Sequence, residues 1–135
     1  MTPVRFVKMH GAGNDFVVID RRDAPAIGNV AEFVIAICDR RRGVGADGVL
    51  FLDPGDRDLD FRMRYYNRDG GEADLCGNGA RCLAAFASAQ GLGTGGRVRF
   101  ASERTRPPCG DVVPWPGRTW KSVLCAGASE TGAAV

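Results

Sequence analysis

Glycine is not spread evenly along this chain. Of its 19 glycines, seven fall in three short loops: Gly11 and Gly13, then Gly43, Gly45 and Gly48, then Gly77 and Gly79. Glycine at about twice its usual share needs a local reason, in turns, caps or backbone that comes close to a ligand. The glycines follow no period of three, which excludes collagen. The longest apolar runs, such as Phe33–Cys38 and Val49–Leu52, fall far short of the roughly 18 residues a spanning helix needs.

A length of 135 residues allows one ordinary domain. Hydrophobic residues at 44% and charged residues at 25% are those of a soluble globular protein. The net charge of +2 is too balanced to argue for nucleic acid or a membrane surface. Lys8 and Lys121 are the only lysines, a bias that accompanies G/C-rich coding DNA. The triplet Arg40-Arg41-Arg42 reads as a solvated helix end or turn. Five cysteines (Cys38, Cys76, Cys82, Cys109 and Cys125) without CxxC spacing fit neither a disulfide framework nor a zinc site. His10 is the sole histidine, which argues against a His-based metal centre or a Ser-His-Asp triad. Met1–Lys8 has no apolar stretch of the secretory kind. A cytoplasmic protein with free thiols is the expectation.

Val4–His10 alternates like a strand, and Phe16–Ile19 reads as a second one across a tight loop. Asn29–Asp39 carries a helical stripe at Val30, Phe33, Val34, Ile37 and Cys38, with Asn29 placed as N-cap. After the Gly43–Gly48 loop comes a buried-type strand, Val49–Leu52, and then a polar turn over Asp53–Asp60. Phe61, Met63 and Tyr65 alternate with Arg62, Arg64 and Tyr66, as in a half-buried strand. Arg68–Gly71 is turn chemistry. A helix is expected from Gly77 to Gln90, with Leu83, Ala84, Phe86 and Ala87 facing inward and Gly91 closing it. Val98–Phe100 begins another strand. Beyond residue 100 neither a period of 2 nor one of 3.6 survives, so residues 101–135 read as a poorly specified, disordered tail.

Gly43–Gly48 spells a literal GxGxxG, but that fingerprint needs a strand before it and a helix after it. Here a helix end precedes and a strand follows, so a shaped turn is the better reading. Asn67–Cys82 is more informative. Cys76 stands where a glycine-rich turn becomes a helix, so unpaired amides and the positive end of the dipole would favour a thiolate. Gly77 and Gly79 leave those amides open to an anion such as a carboxylate. Two readings stay open from the residues alone. Either Cys76 is a reactive thiol beside a carboxylate site, or it is a small buried residue and the glycines only cap. Cys82 is expected in the core. Asn67 is either a turn residue bonding its own backbone or a polar contact for a ligand.

Three blocks carry a resemblance: Lys8–Phe16, Arg42–Gly48, and Asn67–Cys82 with its Cys-Gly-Asn-Gly-Ala-Arg-Cys. In order and content they resemble the diaminopimelate epimerases, over about residues 4 to 100. The resemblance implies an α+β fold: one half of a pseudo-symmetric pair, with a mixed, mostly antiparallel sheet wrapped around a central helix. It also implies cofactor-independent interconversion of LL- and meso-diaminopimelate, in lysine and peptidoglycan biosynthesis, by two cysteines acting at the α-carbon. Cys76 matches one of those cysteines. Asn14, Asn67, Gly77 and Asn78 match substrate-binding positions, while His10 and Asp15 are assigned to shaping the first loop. Gly43–Gly48 is expected to be scaffold, with a backbone contact near Gly48. No cofactor, metal, nucleic acid or membrane is implied, and a homodimer is the assembly considered for a full-length member.

The family's second cysteine, in a Cys-Gly-Thr-Gly context, has no counterpart here; Cys109 and Cys125 are poor substitutes. Residues 1–100 are thus expected to form the family's N-terminal domain. Residues 101–135 have the composition of G/C-rich DNA read out of frame, which would truncate the enzyme. Translating the downstream nucleotides in the other two frames tests that expectation. A chain with one thiol is expected to be inactive as an epimerase by itself. Two alternatives accompany this reading: a non-catalytic ligand-binding or pseudoenzyme fragment, and another isomerase of the proline-racemase or phenazine-biosynthesis type.

Overall fold

In the computed structural model, residues 3–55, 59–74, 76–94, 97–102, 110–115 and 119–124 are described. The chain runs β1 (Val7–Gly11), β2 (Asn14–Asp20), α1 (Val30–Cys38), β3 (Gly48–Pro54), β4 (Phe61–Asn67), β5 (Glu72–Ala73), α2 (Gly77–Ala89), β6 (Val98–Ser102), β7 (Gly110–Trp115) and β8 (Thr119–Leu124). One sheet holds all eight strands in the order β1-β2-β3-β4-β6-β7-β8, with β5 paired to β4. The β2–β3 and β4–β6 pairs are parallel and the others antiparallel, so the sheet is mixed and mostly antiparallel, as expected.

Two helices cover opposite faces of the sheet, and the period-2 pattern of the strands divides between them. Phe16 and Val18 of β2, Leu50 and Leu52 of β3, and Met63 of β4 join Ala80, Leu83, Ala84 and Ala87 of α2 in one core. Val17, Ile19, Val49, Phe51 and Tyr66 point the other way and meet Val34 and Cys38 of α1. That is why β2 and β3 are buried on both faces while β4 alternates.

Helix α2 is the central one. It lies against β1, β2, β3, β4, β6 and β8, and every residue from Gly79 to Ala85 is buried. A side-chain stripe was too narrow an expectation: the sheet surrounds the helix, and Phe86, placed on the inner face, is only partly buried. The small residues of α2 permit this. A Cβ on Gly79 would stand 2.9 Å from Leu50 Cδ2.

The boundaries follow local chemistry. Asn29 caps α1 as expected, its Oδ1 accepting from Glu32 N. Gln90 and Gly91 close α2 with backbone bonds to its last carbonyls, Gly91 taking a φ of +85°. The turn assigned to Asp53–Asp60 begins later, because β3 continues through Pro54 opposite Phe61. Strand β5 had no sequence signal of its own; the Arg64–Glu72 ion pair, at 2.8 Å, fastens it to β4.

The reading of residues 101–135 needs correcting at two stretches. β6 extends through Ser102, and β7 and β8 pair in antiparallel register from Gly110↔Leu124 to Trp115↔Thr119. Valine, threonine and tryptophan supply strand propensity there, although Pro114 and the lack of alternation conceal it. Cys109 and Cys125 lie outside the described residues.

Candidate active site

The β1–β2 hairpin supplies the first wall of the site. Gly11 pairs with Asn14, leaving the two-residue loop Ala12-Gly13 with φ values of +53° and +83°. Positive φ at both positions is the turn that matches strand twist. It delivers Asn14 beside the start of α2, where Gly11 packs under Asn78: a Cβ on Gly11 would lie 3.2 Å from the Asn78 carbonyl oxygen.

Cys76 is the N-cap residue of α2 and is partly buried. Its side chain makes no capping bond to the helix amides, so the sulfur is directed elsewhere. The thiol faces Asn14, with Sγ 3.8 Å from Oδ1. On the next turn Arg81 is buried and donates to Asn78 Oδ1, which ties that side chain to its own helix. Cys82 is fully buried, as expected, and burial pushes its thiol up to about 12. A Cβ on Gly79 would crowd Leu50, so packing requires this glycine, whereas one on Gly77 would stand 3.6 Å from Arg81 Nη1.

The loop before β3 supports the hairpin through side-chain bonds of Asp47. Asp47 Oδ2 accepts from Asn14 Nδ2 at 2.8 Å and from Asp15 N at 3.1 Å. Asp47 N in turn donates to Asp15 Oδ1 at 3.0 Å. Lys8 Nζ bridges Asp15 Oδ2, at 2.8 Å, and the Gly45 carbonyl, at 2.5 Å. Arg40 donates to both oxygens of Asp15 and to Asp47 Oδ1. The Arg40 guanidinium is the main reason the Asp15 carboxyl lies well below the usual range, with Lys8 adding to it. The first two sequence blocks are thereby stitched into one support under Asn14. The Asp15 carboxylate joins the β1–β2 hairpin to Arg40 and to the loop before β3. Arg40 departs from the expectation of a merely solvated triplet, whereas Arg41 and Arg42 give their backbone amides to Asp39 in an exposed turn.

Strand β4 closes the other side. Tyr65 Oη donates to Asn67 Oδ1 at 2.7 Å, and its ring meets Phe16 edge-on with centroids 5.8 Å apart. Burial is the main reason the Tyr65 phenol is pushed up to about 12. Gly48 is required by strand β4, since a Cβ there would fall 2.6 Å from both Tyr65 Cε2 and the Tyr66 carbonyl oxygen. Asn67 itself is exposed, and its backbone closes the turn to Gly70 and Gly71.

Asn14 and Cys76 are thus in contact, and Asn78 stands on the next residues of the same helix end. Asn67 is bonded to Tyr65, whose ring packs on Phe16. A cavity of about 580 Å³ opens near the other end of α2, at Phe86 and Gln90, and none of these residues lines it. Sequence reasoning missed Asp47, Tyr65 and Arg81. For Asp47 the available signal was its place in a glycine loop that failed the nucleotide test. Tyr65 and Arg81 were hidden in patterns that read as core strand and helix interior.

The sequence profile described as diaminopimelate epimerase matches residues 6–104. Among curated relatives, the diaminopimelate epimerase of Synechococcus elongatus is 46% identical over 99 residues, 73% of this chain and 35% of the relative. That of Synechococcus sp. (strain JA-2-3B'a(2-13)) is 52% identical over 100 residues, 72% of this chain and 34% of the relative. The chain therefore spans about a third of the length of the curated relatives it matches. Among solved structures, methylitaconate-delta-isomerase aligns with TM-score 0.63 at 14% identity, over 97% of this chain and 40% of that one. A phenazine biosynthesis protein of the PhzF family from Bacillus anthracis aligns with TM-score 0.60 at 18% identity, over 89% of this chain and 39% of that one. These likenesses carry the fold, and the profile match over most of the chain carries the family: the chain belongs to the diaminopimelate epimerases.

Proposed function

We propose that this chain contributes Cys76 as one of two proton-exchanging thiols in the cofactor-independent epimerisation of diaminopimelate. The observation that carries the reading is the position of Cys76 at the N-cap of α2. Its sulfur is free of the helix amides and faces Asn14. Inverting a stereocentre needs a base on one face of the carbon and an acid on the other. A thiol at the helix start supplies one of these groups. The first-turn amides at Gly77 and Asn78 are suited to the substrate carboxylate, where negative charge develops as the α-proton leaves.

Asn14 and Asn67 would orient the substrate from the two flanking strands. The second thiol, in the Cys-Gly-Thr-Gly context of the family, is absent from this sequence. On this reading the polypeptide by itself binds without epimerising, so it belongs to lysine and peptidoglycan biosynthesis only when the opposite thiol is supplied. Reading the chain as a proline-type racemase is less well supported, because identities of 46% and 52% are to diaminopimelate epimerases.

Substrate protection tests the proposal. Iodoacetamide labelling of Cys76, followed peptide by peptide by mass spectrometry, is expected to slow in the presence of LL-diaminopimelate and to be unaffected by proline. Equal labelling rates with and without diaminopimelate would contradict the reading.

A further inference from the structure

We infer that Asp47 is a positioning residue for Cys76, acting by fixing which end of the Asn14 amide meets the thiol. This rests on the reading of Cys76 as the acid/base thiol, yet the argument begins with hydrogen-bond chemistry alone. An asparagine amide has a donating and an accepting end of nearly identical shape, and only its partners decide between them. An ionised carboxylate accepts and cannot donate. Asp47 Oδ2, 2.8 Å from the Asn14 amide, must therefore face its nitrogen. That choice sends Oδ1 toward Cys76, where Sγ lies 3.8 Å away as the donor.

Asp47 is itself held in place. Its Oδ2 also takes Asp15 N at 3.1 Å, its backbone N–H is bound by Asp15, and Arg40 pairs with its other oxygen at 3.2 Å. The order Asp47, Asn14, Cys76 thus runs from the loop before β3, through the end of the β1–β2 hairpin, to the N-cap of α2. It gives the sulfur an acceptor that a thiol satisfies and a thiolate does not. The amide also holds the S–H direction, so the proton on Cys76 is delivered along a set line. Other charged or titratable groups near this chain of contacts are Lys8, Asp15 and Arg40 beside Asp47, and Tyr65, Arg81 and Cys82 around Cys76.

The test is the iodoacetamide labelling rate of Cys76 in the whole chain at neutral pH, without substrate, resolved from the other cysteines by mass spectrometry. Asp47→Ala frees the Asn14 amide to turn its N–H toward sulfur. Labelling is expected to rise about threefold to tenfold, the worth of one hydrogen bond. Asp47→Asn keeps an oxygen that can accept from Asn14 Nδ2 and Asp15 N, so its rate is expected to return to that of the unaltered chain. An unchanged rate in Asp47→Ala overturns the inference. A rise in Asp47→Asn equal to that in Asp47→Ala also overturns it, by assigning the effect to lost charge.

Should Asp47→Ala fail to fold, the unaltered chain answers through the side-chain amide protons of Asn14 in an NMR exchange measurement. Held by a carboxylate, they should exchange with water at least about threefold more slowly than a free asparagine amide; equal exchange overturns the inference. Because no diaminopimelate is present, these outcomes are independent of whether the substrate assignment stands.

Discussion

Gly13 and Gly79 both belong to the glycine-rich sequence blocks, one in a hairpin loop and one in helix α2, and they are required for different reasons. Gly13 has φ +83° and nothing within 4 Å of where a Cβ would stand. Gly13→Ala should therefore destabilise by the left-handed backbone cost alone, about 1–2 kcal/mol, read as a lower urea midpoint. At Gly79 the backbone is helical and Leu50 occupies the space. There Gly79→Ala should cost about 1–3 kcal/mol through overpacking, and the companion change Leu50→Val should recover part of it. An equal loss in the presence and absence of the Leu50 change would contradict that assignment. The clustering of glycines was visible in the sequence, but which residue each one accommodates was not, because Leu50 and Gly79 meet only after β3 and α2 have packed. The same limit applied at the site. Cys76 and Asn14 could be singled out by type and context, whereas Asp47 acquires its role from a contact 33 residues away in sequence and Tyr65 from its packing on Phe16.

Among elements, the connections are more telling than the strands and helices they join. Local signals located β1 to β4, both helices and the start of β6, since each has its own period or cap. Asn29 is the plainest case, and Asn29→Ala should lower stability by about 0.5–2 kcal/mol, measured by thermal unfolding. Strands β5, β7 and β8 lacked such signals: β5 is two residues long, and β7 contains Pro114. Their places are set by partners, Tyr65 and Tyr66 for β5 and Val98–Phe100 for β7. The Lys8–Asp15–Arg40–Asp47 network ties the β1–β2 hairpin to the loop before β3 and has a definite response to acid. The Asp15 carboxyl lies below its ordinary 3.8 in the folded chain, chiefly because of Arg40. Its contribution is complete above that value and is lost as pH falls below it. Arg40→Ala should flatten the acid limb of the stability profile; an unaltered limb would show that the network does not hold the two loops together.

At the scale of the molecule, one sheet separates two cores and α2 is enclosed by one of them. Phe100 stacks on Phe61 with ring centroids 5.1 Å apart, and both are fully buried on the α2 side. The thiol of Cys82 and the phenol of Tyr65, which belong to or border that core, both keep their protons longer in the folded chain than in the unfolded one. Cys82 rises from 9.0 and Tyr65 from 10.0, each to about 12. The folded state then holds protons that the unfolded chain releases, so stability is full below 9.0 and declines as pH rises from there toward about 12. Urea midpoints measured across that window should fall steadily, and Cys82→Ala should remove part of the slope.

Cys76 is the N-cap of that enclosed helix, and the central claim is that its thiol exchanges the α-proton of the substrate. Nuclear magnetic resonance of LL-diaminopimelate incubated with the chain in deuterium oxide tests it most directly. The account predicts slow deuterium uptake at the α-carbon that disappears in Cys76→Ala, with no meso isomer accumulating. Uptake that persists in Cys76→Ala, or its absence from the unaltered chain, would contradict the role of Cys76, and meso product formed by this polypeptide alone would contradict the need for a second thiol from outside it.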